Sequence, residues 1–174
     1  DLAAATELAA EAAQGEICAC ANDNAPGQVV VSGHKTAVER AVALAKAKGG
    51  KRAIILPVSA PFHCALMQPA ADVMARELER TAMAPPTIPL VANVTARAVS
   101  DPATIRGLLV RQTTTTVRWR ESALWMKEQG VGMLIELGAG KVLSGLAKRI
   151  DPDLQGVNAG SPAEIDAILK TLGG

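Results

Sequence analysis

Apolar positions along the chain recur with two periods, and the switches between them mark out the elements. Residues 2 to 14 (LAAATELAAEAAQ) are Ala-rich with Leu2 and Leu8 as the larger apolar positions, a strong helix by propensity, and Gly15 ends it. Glu16 to Ala21 alternates weakly as a strand, and Asn22-Asp23-Asn24-Ala25-Pro26-Gly27 reads as a turn cluster. The β-branched run Gln28 to Ser32 predicts a second strand, antiparallel to the first because the link is short. Thr36 to Lys48 is an amphipathic helix closed by Gly49-Gly50, and Lys51 to Val58 (KRAIILPV) predicts another strand. The order helix, strand, strand, helix, strand is a split βαβ pattern without its first strand. Because the chain also opens on Asp1 and not on Met, the expectation is that it is cut from something longer.

After Pro61 the rhythm changes. Cys64 to Thr81 carries Leu66, Met67, Ala70, Val73, Met74 and Leu78 at helical spacing, and Pro85-Pro86 follows. Ile88 to Val91 predicts a short buried strand, and Asp101-Pro102 caps a helix running to about Val110. Thr113 to Thr116 is a polar linker, Arg118 to Gln129 a helix and Val131 to Leu137 a strand. Gly138-Ala139-Gly140 turns the chain into a helix ending near Ile150; Gln155 to Val157 is a last strand, and Ser161-Pro162 starts a terminal helix. Strands alternating with helices in this way imply a parallel sheet covered on both faces.

Composition narrows the function classes. Hydrophobic residues make up 49% and net charge is +1, which excludes intrinsic disorder and leaves no basic footprint for nucleic acid. Aromatic residues make up 2% (Trp119, Trp125 and Phe62), so no platform for stacking bases exists. The longest mostly apolar run, Ala53 to Phe62, is too short to span a bilayer and holds two prolines, so no membrane partner is expected. No basic stretch followed by an apolar one opens the chain, so no secretory leader is expected. Cys18, Cys20 and Cys64 are an odd count at spacings that suit neither a redox nor a zinc pair, which points to free thiols, a reducing cytoplasm and no metal.

Ligands of open α/β sheets sit beyond the carboxyl ends of strands, and two junctions stand out there. In Pro57-Val58-Ser59-Ala60-Pro61-Phe62-His63-Cys64 a strand runs out into a loop, and His63 sits where a general base is expected. In Glu136-Leu137-Gly138-Ala139-Gly140-Lys141 the glycines could present backbone N–H groups to an anion, although a tight turn is the simpler account. His34 reads as a helix-start residue. No Gly-x-Ser-x-Gly elbow occurs in the chain, so the residues offer a base without a nucleophile.

Val58 to Met67, with Pro69-Ala70-Ala71-Asp72 following, resembles the histidine segment of malonyl-CoA:acyl carrier protein transacylases. Asn24 to His34 resembles the family's small-domain hairpin, Leu109-Val110-Arg111-Gln112 its helix end, and Glu136 to Leu143 its late βα turn, with Ala139 where the family usually has Pro. The resemblance implies an α/β fold in two parts: a ferredoxin-like small subdomain lacking its first strand (residues 1–57) and the C-terminal half of a hydrolase-like parallel-sheet α/β subdomain (58–174). It also implies that the family's Gly-His-Ser-x-Gly elbow, its carboxylate-binding arginine and a glutamine-containing loop lie upstream of Asp1.

The implied activity is transfer of a malonyl group from malonyl-CoA to the phosphopantetheine thiol of acyl carrier protein, through a seryl acyl-enzyme, in fatty acid biosynthesis. His63 maps onto the general base, the backbone carbonyl of Gln112 onto the group that orients it, and Asn24 onto a substrate-pocket residue. Phe62 occupies a position that in related acyltransferase domains influences extender choice, and a ring there would crowd an α-methyl branch. No resident cofactor is implied, since the CoA thioester and phosphopantetheine are substrates; the intact enzyme is expected to be a cytoplasmic monomer. Arg118, Arg120, Lys141, Lys148 and Arg149 are candidate contacts to an acidic carrier protein. Two other readings compete: a non-catalytic acyltransferase-like binding or scaffold module lacking the nucleophile, and an unrelated α/β ligand-binding domain. The 174 residues alone are expected to expose apolar strand edges and to be poorly soluble.

Overall fold

A computed structural model describes residues 1–173 and divides the chain into two compact units, residues 1–122 and 123–174. The first unit begins with α1 (Leu2–Ala13), capped by Asp1, whose Oδ1 accepts from the Ala4 N–H at 2.9 Å. Strands β1 (Cys18–Ala25) and β2 (Gln28–Gly33) form an antiparallel hairpin, and α2 (Lys35–Ala47) follows. The stretch expected to turn at Asn22–Asn24 is the end of β1; the turn itself is only Pro26-Gly27, with Gly27 at φ +71°. Pro presets the first central residue of such a turn and Gly supplies the positive φ at the second.

Helices α1 and α2 pack through alanines, with Ala9, Ala12, Ala37 and Ala41 all buried. Arg40 closes the carboxyl end of α1: its Nε donates to Ala12 O at 2.7 Å and Nη2 to Ala13 O at 2.9 Å. The same Nη2 lies 2.7 Å from Glu16 Oε2. Together with the Thr36 hydroxyl, this guanidinium holds the Glu16 carboxyl below its ordinary range. Gly33 allows β2 to end hard against the chain, since a Cβ there would lie 2.0 Å from Ile17 O.

Lys51 to Val58 corrects the sequence reading, because no strand forms there. A strand exists only where a neighbour completes its hydrogen bonds, and none of the described residues does so; Ile54, Ile55, Leu56 and Val58 are exposed. The chain then enters a single 3₁₀ turn (Ala65–Met67) and α3 (Gln68–Arg80). Beyond it lies a hairpin of β3 (Leu90–Ala92) and β4 (Arg97–Val99), of which β4 was not expected. Its tight turn is closed by Ala96 at φ +51°, fully buried. Helix α4 (Pro102–Gln112), capped by Asp101, covers this hairpin, with Ala92, Val94 and Leu108 forming one apolar cluster.

Helix α5 (Trp119–Glu128) carries the chain into the second unit. There β5 (Met133–Leu137) and β6 (Gln155–Ala159) pair in parallel, as strand–helix alternation predicts, with α6 (Val142–Ile150) as the crossover. Leu146, Ala147, Ile150 and Leu154 are its buried core, and α7 (Pro162–Leu172) follows, capped by Ser161. Among the described residues no helix is long and apolar enough to cross a membrane. The three cysteines are free thiols, and burial pushes the Cys18 thiol up.

Candidate active site

His63 lies on the loop between the unpaired 51–58 segment and α3, with its backbone at φ +59°, in the left-handed region. A non-glycine residue held there costs energy, and such residues concentrate where function demands the orientation. The next residue anchors the loop. Cys64 is buried, its thiol donates to Pro61 O at 3.2 Å, and the Ser32 hydroxyl of β2 points at its sulfur from 3.9 Å.

The His63 ring meets the carboxyl end of α4. Its Nδ1 lies 2.9 Å from the backbone oxygen of Gln112. A carbonyl can only accept, so Nδ1 carries the proton, and in the neutral ring the Nε2 lone pair is left unprotonated. The Gln112 side chain holds the same turn: Nε2 donates to Thr115 O at 3.1 Å and lies 3.5 Å from His63 Nδ1, a longer contact than the 2.9 Å to the carbonyl, while Oε1 is buried without a hydrogen-bond partner among the described residues.

Two further predicted residues are placed but not brought into hydrogen-bond contact with this pair. Asn24 is half-buried on β1, at an irregularity in the ladder between Asp23 and Ala25. Bulges of this kind re-aim side chains and recur beside active sites. Phe62 precedes His63 and is 45% exposed, so its ring is free to contact a ligand and is not part of the core. An open hollow of about 410 Å³, lined by residues including Thr6, Cys18, Cys20 and Thr116, contains none of the four predicted residues.

His34, the glycine turn, Arg118 and Arg120 have structural partners. The ring Nδ1 of His34 accepts from the Ile17 N–H at 2.9 Å, the opposite polarity to His63, and ties the start of α2 to β1. At the glycine turn the anion is the protein's own. Glu136 accepts from Ser144 N and Oγ, both at 2.8 Å, and from Leu143 N at 3.2 Å. The Ser144 amide and hydroxyl hold this carboxyl below its ordinary range. Arg118 is engaged by Glu121 and by Val94 O.

Arg120 is engaged by Asp23, which is 2% exposed and which the sequence places in a turn cluster and not at a site. The one signal available was its place at period 2 between the buried Ala21 and Ala25.

Residues 2–151 match the family model described as acyl transferase domain. A malonyl CoA-acyl carrier protein transacylase of Salmonella typhimurium is 48% identical over 169 residues, which cover 97% of this chain and 55% of that protein. The crystal structure of acyl-carrier-protein-S-malonyltransferase from Bartonella henselae matches at a TM-score of 0.95 and 48% identity, covering all of this chain and 55% of that one. A malonyl-transacylase in complex with its type II PKS acyl-carrier protein matches at 0.94 and 44% identity, covering 98% of this chain and 55% of that one. The chain thus spans about half the length of the relatives it matches.

Proposed function

Because the chain belongs to the acyl transferase domain family, we propose that it supplies the general base of an enzyme moving malonyl groups from malonyl-CoA to the phosphopantetheine thiol of acyl carrier protein. One observation carries this reading: the 2.9 Å bond from His63 Nδ1 to the Gln112 carbonyl, which leaves Nε2 as the basic nitrogen. The malonyl-specific names of the relatives, and the carrier-protein complex among them, support the choice of donor and acceptor.

In this mechanism a serine Oγ attacks the malonyl thioester carbonyl while His63 Nε2 takes its proton. The tetrahedral intermediate collapses, the C–S bond breaks, and the imidazolium returns the proton to the departing CoA sulfur. In the second half, Nε2 takes the proton of the phosphopantetheine thiol, whose sulfur attacks the seryl ester, and the serine leaves with that proton. The Gln112 carbonyl fixes the ring and its tautomer through both halves, a role that a carboxylate fills in other triads. Asn24 approaches the substrate from β1, and the Phe62 ring sets preference for an unbranched malonyl group. The nucleophile belongs to a Gly-His-Ser-x-Gly elbow that these 174 residues do not contain, so a second segment must bring it to Nε2. CoA thioester and phosphopantetheine are substrates, no resident cofactor or metal takes part, and the working enzyme is a cytoplasmic monomer.

The test is intact mass after brief exposure to malonyl-CoA, followed by addition of acyl carrier protein. A malonyl adduct on a species heavier than 17.9 kDa, passed on to carrier protein, is expected. His63→Ala should slow adduct formation by at least about a hundredfold. No adduct on any species, or a rate indifferent to His63→Ala, refutes the reading. Absence of an adduct would favour the scaffold alternative.

A further inference from the structure

Strand β1 breaks its regular register twice, between Cys20 and Asn22 and between Asp23 and Ala25. Between these irregularities Asp23 turns its carboxylate inward, at 2% exposure. Arg120 receives it from the first turn of α5: Nε lies 3.1 Å from Oδ1 and 3.0 Å from Oδ2, and Nη2 lies 2.8 Å from Oδ2. The backbone of β1 is docked at the same place on the segment that follows Gln112. Val117 N donates to Ala21 O at 2.8 Å, Asp23 N to Val117 O at 2.9 Å, and the Thr116 hydroxyl to Cys20 O at 2.6 Å. From there the tie continues through Thr115, which accepts from the Gln112 side chain, to Gln112 O and His63 Nδ1.

We propose that Asp23 and Arg120 are a positioning clamp, fixing residues 112–117 to β1 and thereby holding the Gln112 carbonyl under His63 and Asn24 at its bulge. Thr113 to Val117 has no helical backbone bonds beyond its first turn and pairs with a strand only at this docking on β1, so β1 sets its register together with the Thr115 hydroxyl bond to Arg111 O and the Arg118 N–H bond to Asn93 O. A buried ion pair is a poor source of stability compared with an apolar pair of the same volume, but a bidentate guanidinium–carboxylate contact fixes direction and register. The clamp touches neither substrate nor His63 and acts only through the Gln112 segment. It rests on the reading of His63 as the base.

The experiment compares the full protein with the double variant Asp23→Leu/Arg120→Met and with Arg120→Lys. The readout is the long-range ¹⁵N–¹H spectrum of the imidazoles, of which these 174 residues supply His34 and His63. His34, held by Ile17, is the internal control. In the double variant His63 should move from the Nδ1–H form toward a mixture of tautomers while His34 stays unchanged. The kcat for malonyl transfer should fall roughly tenfold, with the KM for malonyl-CoA within about twofold, as a displaced base predicts. Arg120→Lys, with a point charge in place of a fork, should lie between, and it carries the test alone if the double variant does not fold. A folded variant whose His63 spectrum and kcat match the parent overturns the clamp. A shifted His63 in a protein whose parent transfers no malonyl group supports the clamp and refutes the transfer reading.

Discussion

Replacing Arg120 alone, by Met, should be far more damaging than replacing both members of its pair. The variant leaves the Asp23 carboxylate, 2% exposed, without its bidentate partner. Breaking a buried pair in this way costs about 3–5 kcal/mol. Because the Arg120 side chain is itself 34% exposed, water can reach part of the vacated space, which places the loss near the lower end, about 3 kcal/mol. Against a total stability of about 5–15 kcal/mol this is a large fraction. Adding Asp23→Leu removes the stranded charge and should bring the protein back to within about 1 kcal/mol of the parent. The coupling in the resulting cycle is then about 2 kcal/mol or more. Urea denaturation followed by tryptophan fluorescence is the assay, since Trp119 adjoins Arg120. If Arg120→Met costs less than about 1 kcal/mol, or if the two losses simply add, the pair is not the buried, directional contact described here.

Gly33→Ala forces a Cβ to within 2.0 Å of Ile17 O, the atom that accepts from His34 N, and should cost about 3 kcal/mol from strain and lost hydrogen bonds; a loss below about 1 kcal/mol contradicts the close approach. Glu136→Gln should lower the melting temperature at neutral pH. Since the folded carboxyl is held below its ordinary range, its stabilisation is present above that range and is lost as pH falls through the folded value. The gap to the parent should therefore close with acidification, and a gap independent of pH contradicts the capping role. Phe62→Ser in the intact enzyme should raise methylmalonyl transfer relative to malonyl, measured by competition between the two CoA esters, and an unchanged ratio refutes the assignment of the ring to selectivity.

Much of the helical framework was legible because local rules govern it. Asp101-Pro102 and Ser161-Pro162 cap and open α4 and α7, and Gly15 and Gly49 follow the ends of α1 and α2. The strands were read less well, for a physical reason: a strand is defined by its partner. The apolar run at 51–58 has the composition of a strand but no pairing among the described residues, whereas Arg97-Ala98-Val99 lacks the pattern yet pairs with β3. Its turn gave no warning, because Ala96 adopts a positive φ that sequence rules expect of Gly or Asn.

The site divides along the same line. His63 is visible as a chemically apt residue ahead of a helix, although the strand expected before it does not form, and the resemblance carries Gln112, Asn24 and Phe62 with it. The Asp23–Arg120 contact joins residues far apart in sequence, and no local signal links them. What looked like a turn-forming Asp and a surface Arg are partners only once β1 is bulged and docked on the segment after Gln112.

The orientation of the His63 ring decides which nitrogen is basic, and its tautomer can be observed directly. At about pH 8.5, above the ordinary imidazole range, the ¹⁵N–¹H spectrum should show His63 protonated at Nδ1 with Nε2 free, and His34 in the opposite form. Finding the proton of His63 on Nε2 would mean that the Gln112 carbonyl does not hold the ring and that the nitrogen assigned as the base is unavailable.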